Sequence, residues 1–326
     1  KKDRKPDVCQ ISVFTLPVNL PYKFTILKCI FMDIPHLHHI LVPIDFSGPS
    51  LNAMNTAISM AKRHSAKLTF LHVVDQGILS FHPADILPAT AAEPGIKVRT
   101  DETKNMLSEI SKSVKIEHGL EVEEQMAQGC VSSEICKTAD IQSVDIIVMG
   151  SHGTSRFRQF FMGTNAYSVV KHAACPVLTV PDNNKWNSFS KILFPVRDTP
   201  NALQKYDFLR KIIYKNNAII HVIGFPSAKI PYSKNWVSDL VTQFTSKLRF
   251  DAVDCVTQEF DPTERVAELI LQVAEKIQAD LIAITATLDY NLRDFFVGPF
   301  TQQIVNHAKV PVLSIRPKQR GITEPD

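Results

Sequence analysis

Asp145-Ile146-Ile147-Val148-Met149-Gly150-Ser151-His152-Gly153, followed after nine residues by Gly163-Thr164, is the stretch that decides the fold. A short β-branched run ending in glycine predicts a buried parallel strand that delivers its carboxyl end to a loop. A helix starting after Gly163 would offer backbone N–H groups where its dipole favours an anion, so the loop has the makings of a phosphate cradle. Gly150 and Gly153 are expected to let the backbone approach a ligand closely or to take positive φ. Gly163 and Thr164 would supply amide and hydroxyl donors. Glycine spacing alone leaves a second reading open, that of plain turn residues, because GxxG is a weak pattern.

The flanks add what the spacing lacks. Gly-x2-Gly-x9-Gly-Thr behind DIIVMG, then a helix and Cys175-Pro176-Val177-Leu178-Thr179-Val180-Pro181, resembles the ATP-binding signature of the universal stress protein family. His39-Ile40-Leu41-Val42-Pro43-Ile44-Asp45-Phe46-Ser47 is similar to the family's first strand, which ends in an aspartate. The resemblance gives Asp45 the adenine and ribose side of the nucleotide, with Pro43 and Ile44 lining the pocket. Leu71-His72-Val73-Val74-Asp75 resembles the end of the second strand, whose backbone at Val73 faces the adenine. Met149, Gly150, His152, Gly153, Gly163, Thr164 and Asn165 complete the expected site. The implied cofactor is ATP, with magnesium as a candidate bridge between its phosphates. A doubly wound sheet places ligands outside the carboxyl ends of its strands where strand order reverses, so these segments can converge only on that crevice.

Length and composition fit two such units. The 326 residues exceed one typical domain, and 44% hydrophobic with 21% charged residues is ordinary globular composition. A net charge of +3, with no basic block beyond the first five residues, argues against nucleic acid. The six cysteines lack CxxC pairs or regular spacing, which suits a reducing cytoplasm. His36, His38 and His39 are read as solvated rather than as a zinc site. Residues 1–31 stand apart: Lys1 to Lys5 is charged and Lys28 interrupts the apolar stretch, so neither a membrane span nor a signal peptide is expected. Met32 precedes the first strand at the distance where such a unit begins, and residues 1–31 are read as a disordered tail or a mis-called extension.

The unit occurs twice, as residues 36–182 and 190–317. Lys191-Ile192-Leu193-Phe194-Pro195-Val196-Arg197 repeats the first strand, with Pro195 in the place of Pro43, and Asp280-Leu281-Ile282-Ala283-Ile284 repeats Asp145 to Met149. His172, Pro176 and Gly163 correspond to His307, Pro311 and Gly298 at one offset of 135, a domain-sized repeat rather than a solenoid period. Pro181 to Ser190 reads as a polar linker, and Gly77 to Gly95 as a long crossover loop. Alternating β and α elements predict in each unit a five-stranded parallel sheet with helices on both faces. The resemblance implies strand order 3-2-1-4-5. It also implies that the last strands, Val177 to Val180 and Val312 to Ile315, meet antiparallel as a pseudo-twofold dimer within one chain, with a homodimer of whole chains as a further option.

The second site looks dismantled. Gly150 becomes Thr285, Gly153 becomes Leu288, Thr164 becomes Pro299 and Asp45 becomes Arg197. Pro299 removes a donor and Thr285 reaches positive φ at a cost, so domain two is expected not to bind ATP as the family does. Asp198 is the one candidate replacement for the carboxylate, and it would point to the other side of the strand end. No GxxxxGK[ST] and no HxGH occur, and Ser47-Gly48-Pro49-Ser50 lacks the second glycine and aspartate of an SGGxDS loop. His152 without a placed nucleophile is weak evidence for turnover, so no catalytic residue is assigned. The expected protein is an ATP-binding stress-response regulator with an unidentified protein partner. A slow ATPase and a ligand-free interaction scaffold are the alternatives.

Overall fold

The computed structural model describes residues 12–13, 36–75, 93–151, 163–182, 185–199, 201–286, 288–289, 296–297 and 299–316. In chain order these form β1 Ser12–Val13, β2 His39–Pro43, α1 Gly48–His64, β3 Lys67–Asp75, α2 Glu93–His118, β4 Val122–Gly129, α3 Val131–Ile141, β5 Ile146–Gly150, α4 Thr164–His172 and β6 Val177–Val180. The second half continues with β7 Lys191–Arg197, α5 Lys205–Asn216, β8 Ile219–Phe225, α6 Ser233–Phe250, β9 Cys255–Glu259, α7 Val266–Lys276, β10 Leu281–Thr285, β11 Leu288–Asp289, β12 Phe296–Val297, α8 Pro299–His307 and β13 Val312–Ile315. Helix α2 begins at Glu93, so the crossover is shorter than the expected Gly77 to Gly95. None of the helices among the described residues is long and apolar enough to cross a membrane.

The hydrogen-bonded order β1-β9-β8-β7-β10-β13-β6-β5-β2-β3-β4 resolves into two five-stranded units in the expected 3-2-1-4-5 order. They are joined where β13 and β6 pair antiparallel, with Leu313 opposite Leu178 and Ser314 opposite Val177. That pairing leaves neither closing strand with an open edge. The sequence reading, which set residues 1–31 outside the fold, does not anticipate Ser12–Val13, which pairs antiparallel with Val256 and Thr257 at the far edge.

The strands read as near-continuous apolar runs because both faces are covered. On one face α1, α2, α5 and α6 lie over a single core that runs through both units and includes Val148, Leu178, Leu313, Phe194 and Phe244. On the other face the cores are separate: α3 and α4 cover Leu41, Ile147 and Val177, while α7 and α8 cover Leu193, Ile282 and Val312. The joining segment is part of the shared core rather than a free linker. Phe189 is fully buried, and Asn52 Nδ2 donates to Pro181 O at 2.8 Å.

The repeat extends to side-chain detail. Asp145 Oδ2 accepts from the N–H groups of His38 and His39 at the entrance to β2, and Asp280 Oδ2 accepts from those of Ser190 and Lys191 at the entrance to β7. Helices α1 and α5 both end on a left-handed residue, Ser65 at φ 54° and Asn217 at φ 48°. His39 Nε2 lies 2.8 Å from Thr69 Oγ1, and the rings of His36 and His38 pack at 4.2 Å.

Candidate functional site

Three strand ends meet along one edge of domain one. Strand β2 lies between β3 and β5, with Pro43 in register with Leu71 and Leu41 with Ile147. The main chain of Ile44 continues the pairing by donating to Leu71 O at 2.8 Å. Extending that register sets Asp45 across from Val73. Ile44 and Met149 are buried, Pro43 and Val73 are half-buried, and Asp45 is exposed. The chain turns sharply after Asp45: Phe46 adopts φ 61°, its ring 5.2 Å from that of His72, whose Nδ1 lies 2.7 Å from Ile44 O. Asp45 Oδ1 accepts from the N–H and hydroxyl of Ser47, and Ser47 in turn caps α1.

The glycine stretch closes on itself at its described ends. Ser151 N–H donates to Val180 O, and Gly163 N–H donates to Ser151 O at 3.1 Å, so Gly163 sits at the exit of β5. Gly163 is the N-cap of α4 without a side-chain cap, and Thr164 and Asn165 are exposed on its first turn. The unpaired N–H groups of that turn therefore open onto the same edge as Asp45. His152 and Gly153 lie outside the described residues.

Gly150 has a packing reason that the sequence reading does not give. Its φ is not positive, and a Cβ there would fall 2.9 Å from Pro49 Cβ and 3.0 Å from the Pro49 carbonyl. Glycine at the end of β5 lets the first turn of α1 pack on the strand, with no ligand needed. Phe46, Ser47 and His72, to which the sequence reading gives no role in the site, shape the turn. The β-to-α junction Asp-Phe-Ser-Gly-Pro was the signal for Phe46 and Ser47, and the end of β3 that for His72.

Domain two shows the same edge in another state. Arg197 stands where Asp45 does, and its guanidinium carbon lies 3.6 Å from the ring centroid of Phe300, which stands where Asn165 does. The two positions are thus within side-chain reach across the crevice. Asp198 is buried and accepts from Ser227 N–H and the Ser233 hydroxyl, so it faces away from the crevice, on the other side of the strand end. In the place of Ala53 in α1 stands Lys205, 2% exposed, donating to Pro195 O at 2.9 Å and Ala202 O at 2.8 Å. Burial, with Arg197 adding repulsion, pulls the ammonium down to about 7. Burial likewise draws Arg197 down to about 10, with partial opposition from Asp198, so it stays charged at neutral pH.

Comparison with known proteins agrees with this geometry. The model of the universal stress protein family matches residues 36–181 and 189–316. A universal stress protein of Methanocaldococcus jannaschii is 32% identical over 168 residues, covering 51% of this chain and 95% of the relative. Universal stress protein YxiE of Bacillus subtilis is 30% identical over 142 residues, 43% of this chain and 96% of the relative. The crystal structure of a universal stress protein from Archaeoglobus fulgidus superposes with a TM-score of 0.68 at 17% identity, over 85% of this chain and 98% of that one, a likeness of fold. With both halves matched in succession, the chain belongs to the universal stress protein family and carries its domain in tandem.

Proposed function

We propose that domain one binds ATP and that the chain acts as a nucleotide-responsive regulator of the stress response, with domain two unable to hold ATP in the same way. The observation that carries this reading is the convergence of an exposed carboxylate, Asp45, and the uncapped first turn of α4 at the point where strand order reverses between β2 and β5. A carboxylate suits the hydroxyls of ribose or the amino group of a base, and a helix N-terminus suits phosphate. The contact of Arg197 with Phe300 supports a span between the two positions that one ligand could bridge.

The residues fit the nucleotide as donors and acceptors. Asp45 and the backbone at Val73 would orient the nucleoside end, and Gly163, Thr164 and Asn165 would hold phosphates. Magnesium, if it accompanies ATP, would neutralise phosphate charge. No described side chain is positioned as nucleophile or base, so binding without turnover is the preferred mode, and signalling would run through conformation or choice of protein partner. A cytoplasmic setting accords with the four cysteines among the described residues, Cys130, Cys136, Cys175 and Cys255, all of which are free.

Titration of the full chain with ATP, followed by analysis of the nucleotide recovered, tests the reading. Saturable binding with ATP returned intact is expected. Recovery of ADP and phosphate would make the protein an enzyme, and absence of binding would leave a scaffold.

A further inference from the structure

Domain two has lost the nucleotide signature but keeps a crevice at the equivalent place. A cavity of about 10 Å³ lies at the carboxyl ends of β7 and β10, bordered by Arg197, Thr199, Lys205, Thr285 and Phe300. It holds an excess of donors and positive charge. Lys205 Nζ uses two of its three hydrogens on Pro195 O and Ala202 O and lies 4.0 Å from the Phe194 ring centroid. Arg197 Nε is buried without a partner, as is Oγ1 of Thr285, a residue only 7% exposed. Among the described residues no ion pair joins either cation to a carboxylate. The adjacent Asp198 is engaged by Ser227 and Ser233 on the other side.

Buried charges in proteins are normally paired, and buried donors normally have acceptors. Two cations and three spare donors face one opening with no carboxylate in contact and only a partial, through-space compensation of Arg197 by Asp198, which leaves room for an anionic ligand. We propose that this crevice binds a small inorganic anion, its charged atom seated among Arg197, Lys205 and Thr285. The cavity admits one water-sized body, so it seats a halide or a single oxygen of a phosphate whose remaining atoms stay at the mouth. Water of the same size would satisfy the donors but leave the charge of Arg197, and that of Lys205 whenever it is protonated, unmatched. Phe300, held over Arg197, closes the side where domain one leaves Asn165 exposed, which selects a small ion over a nucleotide. The site is thus a second ligand position, chemically distinct from that of domain one.

The test uses the full chain, with the chloride-35 line width reading halide and titration calorimetry reading inorganic phosphate. Wild type should give excess line width, or heat, that saturates. Lys205→Met should abolish it. Thr285→Val, which keeps the shape and removes one donor, should weaken it about fivefold and serves as the readout should Lys205→Met fail to fold. Saturable phosphate heat with displacement of chloride assigns an oxyanion, and line width unaffected by phosphate assigns a halide. Widths and heats equal in wild type and the variants would overturn the site.

Discussion

The two junctions between first strand and first helix start from one plan and end differently. In domain one α1 begins at Gly48, directly after its Ser47 cap, and Pro49 lies on Gly150. In domain two residues 201–204 form turns, and α5 begins only at Lys205. Where β5 of domain one ends in Gly150, β10 of domain two ends in Thr285, which borders a cavity together with Ala202 and Lys205. Lys205 opens the shortened helix at a position that is buried in both units, where α1 carries Ala53. An intact junction keeps the edge open and acidic at Asp45, whereas a withdrawn one fills the edge with cations and an aromatic ring.

Exchanging the paired residues breaks the comparison most sharply. Gly150→Thr should destabilise domain one by about 3 kcal/mol or more, because the new side chain meets the Pro49 backbone rather than a flexible tip. Thr285→Gly should cost about 1 kcal/mol, from a small void and a glycine in a strand, partly offset by removal of an unpartnered hydroxyl. Urea unfolding midpoints of both variants check this. Equal losses would mean that the junctions are not coupled to the strand ends.

Lys205→Met should raise stability at neutral pH by up to about 3 kcal/mol and flatten its pH dependence. The folded ammonium titrates near 7 through burial first and Arg197 second, against an ordinary value of 10.5. Between those values the unfolded chain binds the extra proton, so wild-type stability should rise with pH across that window. Below 7 both states are protonated and the full penalty remains. Midpoints measured in wild type and variant from pH 6 to 10 decide it, and parallel curves would mean the lysine is not desolvated.

What the sequence made legible was periodic or repeated. Alternating strands and helices and the repeat could be read because apolar patterning and a constant offset state them directly, whereas the antiparallel seam at Leu178 and Leu313 was implied by the family resemblance alone. The placement of Asp45, Val73 and Gly163 at one edge follows from topology. The packing role of Gly150 was hidden because a glycine for close packing and a glycine for phosphate approach look alike until the neighbouring helix is in place. Lys205 was invisible for a related reason. One lysine in an amphipathic helix reads as solvated, yet this position is buried in both units, as Ala53 in α1 and as Lys205 in α5. The role of Phe189 was hidden by its polar neighbours in the joining segment.

Asp45→Ala sharpens the functional side of the comparison. If the carboxylate accepts hydrogen bonds from the nucleotide, ATP binding should weaken by roughly 1–3 kcal/mol with the unfolding midpoint almost unchanged, since Asp45 is exposed and its described bonds are local to the turn. Calorimetry with ATP measures this directly. Unchanged affinity would move the nucleoside end of the site away from β2.

The smallest effect belongs to a contact that breaks the symmetry of the repeat. Asp145 and Asp280 each accept two backbone N–H groups, but among the described residues only Asp145 also meets a cation of the other domain, Lys211 of α5, at 2.7 Å, with both side chains largely covered. Burial alone would raise the Asp145 carboxyl. The hydrogen bond and charge of Lys211, with the amides of His38 and His39, more than offset it and hold the group below its ordinary range. A depressed carboxyl stabilises the fold above its unfolded pKa and loses that contribution as pH falls through the folded one. In Lys211→Met burial is opposed by two amides only. Stability should drop by about 1 kcal/mol at pH 7, and acid unfolding should begin at higher pH than in wild type. At a pH low enough to protonate Asp145 the two proteins should converge. A difference that persisted there would mean that Lys211 contributes through the packing of its stem on Phe208, whose ring centroid lies 5.5 Å from Nζ, rather than through charge.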